Sequence, residues 1–360
     1  MAPRSAVATR HRCCVETPLR KLYFWIGLAV SGVALYLAFR QVQWDDLGRA
    51  LREANYVWMI PSAAAMLAAI ASRAERWRWM LGGRDRVPLS RSFRAVSIGY
   101  LITNILPFRL GELIRPIVIA RGGQVGAMQA LSTIAVEHIL DVWIVLGIFA
   151  AVLPGLPLPE SAAAGARSGA IIFGAAAVAA VIAVWQRDRF ERLVGWMLHR
   201  IPRLHPESWL RRFNSIMDGL NVIRSPRLFA GTFAWSIGAW LLSALSFHVG
   251  LLGFVPDAPF TASLFVTVTT TLVLLAPSSP GYVGVLEVAI QQSLLVFAIA
   301  GEVGLAYAIA FHAMEFIVMN VAGVIGVVRE GMSWSSMMST VHQVEATDKR
   351  IGESANQPSN

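Results

Sequence analysis

The chain has 360 residues, of which 56% are hydrophobic and only 15% are charged, and its mean hydropathy is +0.56. Several apolar runs are longer than a soluble core needs, so the composition excludes an ordinary soluble globular protein and predicts an integral membrane protein. The formal net charge is +9, but Arg and Lys lie mainly between apolar spans, where they fit membrane orientation better than a nucleic-acid partner. The two cysteines, Cys13 and Cys14, are adjacent and imply neither a disulfide framework nor a zinc site.

The first part of the chain is predicted to hold two spans. Residues 1–21 are basic and polar, and we expect them to form a cytoplasmic tail. The apolar run 22–39 predicts a retained first span, because no small-residue cleavage site follows it. Residues 40–55 form a short amphipathic connection. A second span at about 56–72 leads to an Arg-rich loop at 73–94.

The segment 93–121 is apolar but interrupted by proline, glycine and charged residues between Asn104 and Pro116. Each arm is about 20 Å long or less at 1.5 Å per residue, against a hydrocarbon thickness of about 30 Å. We therefore predict a re-entrant hairpin that enters and leaves on the same side. Irregular backbone and charge at membrane depth are tolerated only where protein or a water-filled cavity surrounds them, so this break is a candidate site.

The rest of the chain repeats this pattern. Further full spans are predicted at about 127–153, 168–186, 228–252 and 303–328. The Arg-rich segment 187–227 contains apolar residues on one helical face and predicts an interfacial amphipathic helix. A second interrupted element lies at 260–300, and the polar tail 331–360 is expected to be disordered.

These segments predict an all-α polytopic membrane protein with about six full spans and two re-entrant broken-helix hairpins, in a single transmembrane domain over residues 22–330. Nearly all Arg and Lys then fall on one side, and the positive-inside rule places both termini in the cytoplasm. We expect this multi-pass protein in the cytoplasmic membrane of a bacterial or archaeal cell. Counting 93–121 as one full span would send 187–227 outside, against that rule. Two full spans there would give the same parity as a hairpin, so arm length alone favours the hairpin.

The two hairpins enter from opposite sides in this topology, as in transporters built from inverted repeats. Glu112 precedes Asp141 by 29 residues, and Glu287 precedes Glu315 by 28, with a histidine three positions before each later acid. This spacing suggests an internal inverted repeat, although a few polar residues among many apolar ones can align by chance.

Two interpretations are open for the charged residues of the first break and the span after it. Arg109 and Arg115 are either phosphate ligands, or Glu112 neutralises Arg115 and Arg109 extends to the interface. Glu137 and Asp141 share one helical face, and each ionised carboxylate at the midplane costs roughly 2.5–3.5 kcal/mol. We expect both acids to face the Arg pair, as counter-ions or proton acceptors, unless the group is a purely structural ion network.

The histidines and the second break also have alternative interpretations. His138 and His312 each lie one turn before an acid, but no further ligand pair is evident, so we expect no metal or cofactor and leave proton relay and interhelical hydrogen bonds open. The Pro-Ser-Ser-Pro-Gly turn either exposes amides and hydroxyls to a head group or is only a loop tip. No catalytic residue is assigned. The candidate substrate-binding residues are Asn104, Arg109, Glu112, Arg115, Glu137, Asp141, Ser278, Ser279, Tyr282, Glu287, His312 and Glu315.

Three motifs carry a family resemblance: Asn104-x-x-Pro107-x-Arg109-x-Gly111-Glu112, the Glu137…Asp141 pattern, and Pro277-Ser278-Ser279-Pro280-Gly281-Tyr282-Val283-Gly284. Over about residues 20–330 the chain resembles the membrane domain of lysylphosphatidylglycerol synthases and its stand-alone, flippase-like relatives. The resemblance implies movement of a phospholipid or another anionic or polyprenyl-linked lipid between leaflets. No soluble aminoacyl-transfer domain follows the membrane part, so lysyl transfer is not expected.

We therefore expect translocation of an anionic phospholipid or a polyprenyl- or glycan-linked lipid, with membrane lipids as partners and no enzyme activity. One alternative is an intramembrane enzyme on lipid-linked substrates, against which the sequence offers neither a dense acidic or histidine cluster nor a nucleophile motif. Another is a scaffold or regulator of an envelope-lipid enzyme, which predicts that charge changes at the breaks leave function intact. The sequence does not decide which lipid is moved, how movement is energised, or whether the protein forms an oligomer.

Overall fold

A computed structural model describes residues 18–40, 42–83, 86–106, 110–156, 225–274 and 279–333, with scattered positions between 164 and 179 and only the backbone of 18–24. The helices with defined bounds are α1 (Pro18–Phe39), α2 (Trp44–Glu53), α3 (Met59–Met80), α4 (Leu89–Ile105), α5 (Gly111–Ala120), α6 (Ala127–Val152), α7 (Pro226–Leu252), α8 (Phe260–Val273), α9 (Val285–Leu295) and α10 (Gly301–Arg329). The predicted all-α polytopic membrane architecture is confirmed. Outside the described residues lie most of the predicted span 168–186, almost all of the predicted interfacial helix 187–227, and most of both tails.

Four helices among the described residues are long and apolar enough to cross a membrane, and they contain α3, α6, α7 and α10. Trp25–Phe39 of α1 and α2, bent by 88° between them, also pass this test when taken together. α2 is the amphipathic connection predicted from the sequence, and its buried Leu47 packs with Ala38 of α1 and Leu305 of α10. The candidate spans therefore agree with the predicted spans at 127–153, 228–252 and 303–328, and the second predicted span begins as expected at residue 56. The first predicted span meets the test only together with α2.

The predicted end of the second span at residue 72 is wrong, because α3 continues to Met80. Its last two turns are buried rather than solvated, with Ala74, Arg76 and Trp77 each 0% exposed. The helix ends where Gly82 takes a φ of +104°, a conformation that glycine adopts without steric cost. Part of the predicted Arg-rich loop is thus a buried stretch of helix. Its buried arginines no longer count toward the excess of Arg and Lys on the predicted cytoplasmic side.

The first interrupted element forms a hairpin of α4 and α5, which we call hairpin 1. α4 begins beside the end of α10, where Arg94 Nε donates to Glu330 Oε1 at 2.6 Å. From there α4 runs along α10 toward Gly323. A Cβ added at Gly323 would lie 2.4 Å from the Leu101 Cβ, so the two helices are in close contact. α4 has 17 residues and α5 has 10, or about 25 and 15 Å, so α4 is longer than predicted but still shorter than the hydrocarbon layer.

The second interrupted element forms hairpin 2, made of α8, a 3₁₀ turn at Pro280–Tyr282, and α9. It approaches α10 from the opposite end, since Gln291 Nε2 of α9 donates to the Gly301 carbonyl oxygen at 3.1 Å. Thr269 of α8 and Ser293 of α9 hold the two arms together, with their hydroxyl oxygens 2.5 Å apart.

The tips of the two hairpins meet beside the middle of α10. A Cβ added at Gly281 in hairpin 2 would lie 3.4 Å from the Phe316 ring and 3.7 Å from the carbonyl oxygen of Asn104 at the end of α4. Phe316 is close to the midpoint of the 29-residue α10, which is about 43 Å long. Two short helical hairpins therefore enter from opposite ends of a spanning helix and turn back near its centre. This is the inverted arrangement that the sequence suggested.

Candidate functional site

Four charged side chains form a line of ion pairs in the interior, which we call the buried ion chain: Arg115, Glu137, Arg76 and Asp141. Arg115 of α5 donates from Nη1 and Nη2 to the two carboxylate oxygens of Glu137, at 3.2 and 3.0 Å. Arg76 of α3 lies 2.7 Å from Glu137 through Nη2 and donates from Nη1 to Asp141 at 2.5 Å. Cations and anions alternate along this line, so their formal charges cancel.

Aromatic side chains cover the buried ion chain on two sides. The guanidinium carbon of Arg115 lies 4.6 Å from the centre of the Trp77 ring, a favourable cation–π distance. Trp240 of α7 donates from Nε1 to Asp141 at 2.8 Å. Arg76, Arg115 and Glu137 are 0%, 8% and 6% exposed. Burial strengthens each ion pair and makes an unpaired member costly.

Close backbone packing within hairpin 1 positions Arg115. An added Cβ at Gly111 would lie 1.9 Å from the carbonyl oxygen of Gly99 in the facing arm. An added Cβ at Gly99 would lie 2.7 Å from Cγ of Arg115. Glycine at both positions therefore lets α4 and α5 touch and lets the Arg115 side chain pass α4 on its way to Glu137.

Hairpin 1 also contributes a second, more open ion pair. His138 Nε2 of α6 lies 3.1 Å from Glu112 Oε2 of α5, and these side chains are 52% and 31% exposed. Asn104, at the end of α4, is half-buried beside the turn of hairpin 2. Arg109 lies outside the described residues, so its predicted role is not tested.

The turn of hairpin 2 is bound to α10 through His312. Its Nδ1 lies 2.7 Å from Glu287 Oε1, and its Nε2 donates to the Gly281 carbonyl oxygen at 2.8 Å. The other carboxylate oxygen of Glu287 accepts the backbone N–H of Gly284 at 2.7 Å. Tyr282, between the two glycines, has a φ of +58°, which is uncommon for a side chain of this size.

α1 covers the same turn from the other side. The Ser279 N–H donates to Ser31 Oγ at 3.0 Å, and Ser31 Oγ donates to Ser279 Oγ at 2.8 Å. An added Cβ at Gly284 would lie 2.7 Å from the Ser31 carbonyl oxygen. The predicted neighbour Ser278 lies outside the described residues. The turn is thus held between α1 and α10 and is not a free loop tip.

Arg73 and Glu315 lie between the buried ion chain and the turn of hairpin 2. Arg73 Nη2 donates to Ser243 Oγ at 2.9 Å, and its guanidinium lies 5.5 Å from the Trp240 ring centre. Glu315 of α10 interacts electrostatically with both Arg73 and His312. Arg73 and Arg76 are one turn apart on α3 and share a face, so α3 links the charged groups of the two hairpins.

The structure therefore brings six of the twelve predicted site residues into two charged groups. Arg115, Glu137 and Asp141 belong to the first group, and Glu287, His312 and Glu315 belong to the second. The prediction that Asp141 would face the Arg pair of the first break missed its actual partner, Arg76.

Four important residues were missed by the sequence reasoning: Arg73, Arg76, Trp77 and Trp240. Arg73 and Arg76 follow an apolar run at helical spacing, and Trp77 continues the buried face of Ile70 and Ala74. This periodicity was the available signal. Assigning every arginine after residue 72 to a loop concealed it.

This arrangement is suited to holding an anion and to exchanging protons. Arg76 and Arg115 each keep one buried N–H, at Nε, that has no hydrogen-bond partner among the residues that the structure describes, so each guanidinium offers these residues a donor for an incoming acceptor. In the described part of the chain, no three His, Cys, Asp or Glu side chains are placed to share a metal ion.

Comparison with known proteins places these features in a family. Residues 24–323 match the family described as the lysylphosphatidylglycerol synthase TM region. A UPF0104 membrane protein of Methanothermobacter thermautotrophicus is 21% identical over 320 residues, covering 85% of this chain and 92% of that protein. The matched region contains both hairpins and both charged groups. The chain belongs to the family of the lysylphosphatidylglycerol synthase transmembrane region.

Proposed function

We propose that this protein moves an anionic phospholipid, or a polyprenyl- or glycan-linked lipid, between the leaflets of its membrane. The family description names a lipid-modifying synthase and supports a role in membrane lipid metabolism. One observation carries the proposal further. Two hairpins enter from opposite ends and meet beside the middle of α10, and ionisable side chains are buried around their tips.

An exchange of ionic partners would let a head group pass the buried ion chain. In the structure Glu137 and Asp141 balance Arg115 and Arg76. A phosphate that replaces one carboxylate keeps the arginine paired, and arginine binds phosphate through a planar fork of donors. No bare cation has to face hydrocarbon during this exchange, which matters because an uncompensated buried charge is costly.

The partly exposed Glu112–His138 pair marks a route to these arginines. Glu112 lies one turn before Arg115 on α5, and His138 follows Glu137 on α6. A head group that meets the exposed pair is therefore within one helical turn of the buried ion chain. The acyl chains would remain in the surrounding lipid.

Reconstituted vesicles provide the test. Purified protein is placed in vesicles carrying a fluorescent anionic or zwitterionic lipid, and a leaflet-specific quencher follows its movement. We expect faster movement of the anionic probe than in protein-free vesicles and a slower rate in Arg109→Gln, while Arg52→Gln on the exposed side of α2 serves as a matched control. Wild-type protein that moves no lipid faster than empty vesicles would contradict the proposal. Wild-type rates in both Arg109→Gln and Asp141→Asn, at equal folded protein, would favour a scaffold.

A further inference from the structure

His312 is unusual in that both ring nitrogens face hydrogen-bond acceptors. A backbone carbonyl can only accept, so Nε2 must carry a proton that it donates to Gly281. At 2.7 Å, Nδ1 and Glu287 Oε1 also need a proton between them. The other oxygen of Glu287 is already satisfied by Gly284. The geometry therefore requires the His312–Glu287 pair to hold one proton beyond that on Nε2, on either the imidazole or the carboxyl group.

Loss of this second proton would break the contact. The Nδ1 lone pair would then face a carboxylate oxygen, and a buried acceptor without a donor is destabilising. The attached turn has positive φ angles at Gly281 (+71°), Tyr282 (+58°) and Gly284 (+86°). The two glycines adopt these angles without steric cost, but the positive φ of Tyr282 is costly and persists only while its surroundings hold it in place. The proton between His312 and Glu287 is one of the interactions that hold this turn against α10.

The charged groups around the pair support exchange of one proton. Glu287 and Glu315 interact electrostatically with His312, and Arg73 of α3 interacts with Glu315. On α10 itself the other titratable side chains are Glu302, Arg329 and Tyr307, whose hydroxyl donates to the Phe247 carbonyl oxygen. The neighbouring helix α4 carries Tyr100 and the arginines Arg91 and Arg94, which pair with Glu330. Charged side chains on α2 and α3 include Asp46 and Arg49, which pair with each other, and Glu75 and Arg78, which also pair. The His312 and Glu287 side chains remain 11% and 10% exposed, so the protein does not fully enclose the pair.

The corresponding acid–histidine pair, between Glu112 of hairpin 1 and His138 of α6, is more exposed. Glu112 and His138 are paired at 3.1 Å through Nε2 and are 31% and 52% exposed. In transporters built from inverted repeats, one repeat moves against the other around a fixed site. We expect such a movement to expose the His312–Glu287 pair when it buries the Glu112–His138 pair.

We propose that His312 and Glu287 form a proton-binding site that latches the tip of hairpin 2 to α10, and that loss of the proton releases the tip. Only the link between this release and lipid movement rests on the proposed function. The site takes up one proton from water in one state of the transport cycle and returns it to water in the other state. No further reactant is needed.

A distance measurement tests the latch without any transport. Spin labels are attached at Val283→Cys, beside the turn, and at Ile317→Cys on α10, in a background with both native cysteines replaced by serine. We expect the label distance to change as pH rises in the otherwise wild-type protein, and this change to be lost in His312→Gln but kept in His138→Gln. A control pair on α10 alone, Ile317→Cys with Val328→Cys, should show no change. A distance that is independent of pH, or that changes equally in His312→Gln, would overturn the latch.

A second measurement separates the latch from the proposed function. In vesicles with an imposed pH difference, we expect the rate of lipid movement to depend on the direction of the gradient and this dependence to be lost in His312→Gln. A pH-dependent distance without lipid movement would support the latch and contradict the proposed function. Lipid movement with a pH-independent distance would support the proposed function and contradict the latch.

Discussion

Glu137 is the centre of the buried ion chain, and its replacement by glutamine tests whether that chain holds the fold. Both its oxygens accept from Arg115, at 3.2 and 3.0 Å, and one also lies 2.7 Å from Arg76. Glutamine keeps the length but offers one acceptor oxygen, and its amide NH₂ would face a guanidinium. Breaking a buried ion pair by removing one partner costs about 3–5 kcal/mol. Because two guanidiniums lose a partner here, we expect Glu137→Gln to lower the free energy of unfolding by about 4–5 kcal/mol.

Glu112→Gln is the matched control, since it removes the same charge from a partly exposed pair. Such pairs contribute about 0–1 kcal/mol. The free energy of unfolding can be measured in mixed micelles by titration with SDS, followed by tryptophan fluorescence. Adding Arg115→Gln to Glu137→Gln should recover part of the loss, because it removes one uncompensated cation. If Glu137→Gln and Glu112→Gln both unfold at the wild-type SDS concentration, the buried ion chain does not stabilise the helices.

Three further outcomes are expected. Gly111→Ala should strongly reduce the yield of folded protein in size-exclusion chromatography, because the added Cβ would lie 1.9 Å from a backbone oxygen. Gly126→Ala is the control and should behave as wild type, because an added Cβ there meets no atom within 4 Å. Equal yields of the two variants would contradict the close packing of hairpin 1. Asp141→Asn should stay folded, retain more co-purified anionic lipid and slow lipid movement in vesicles, because it leaves excess positive charge; wild-type retention and rate would count against partner exchange. A cysteine at position 121 should be labelled from the cytoplasmic side, and labelling only from outside would reject the predicted orientation.

Apolar runs and helix breakers were enough to predict most of the described helices. α6, α7 and α10 begin and end within two residues of the predicted spans, because long apolar segments have few other ways to satisfy their backbone in lipid. The breaks were also found, since a cluster of proline, glycine and charged residues in an apolar segment disfavours a continuous helix. A single proline is tolerated, because Pro116 lies inside α5. The end of α3 was not found, because its arginines were interpreted as solvated. Arg76 is instead neutralised by the distant Glu137 and Asp141, and Arg78 by Glu75 on the same helix.

Pairing between distant residues is what the sequence could not supply. The repeat spacing placed Glu112 with His138 and Glu287 with His312 in the same relative positions, and the structure pairs each acid with its histidine. The spacing did not indicate that one pair would be open and the other buried. That difference depends on how α1 and α10 enclose the second turn, which is a property of packing.

We infer that the lipid head group passes along the surface between the hairpin tips. Cysteines at Asn104 and Phe316, in the background without native cysteines, can be tethered by a short cleavable crosslinker and assayed in vesicles. A pair at Val321 and Val324 on the exposed face of α10 controls for the modification itself. We predict that the first tether reduces lipid movement to the level of protein-free vesicles and that cleavage restores it, while the control tether has no effect. Unchanged lipid movement in the tethered Asn104–Phe316 protein would contradict the account.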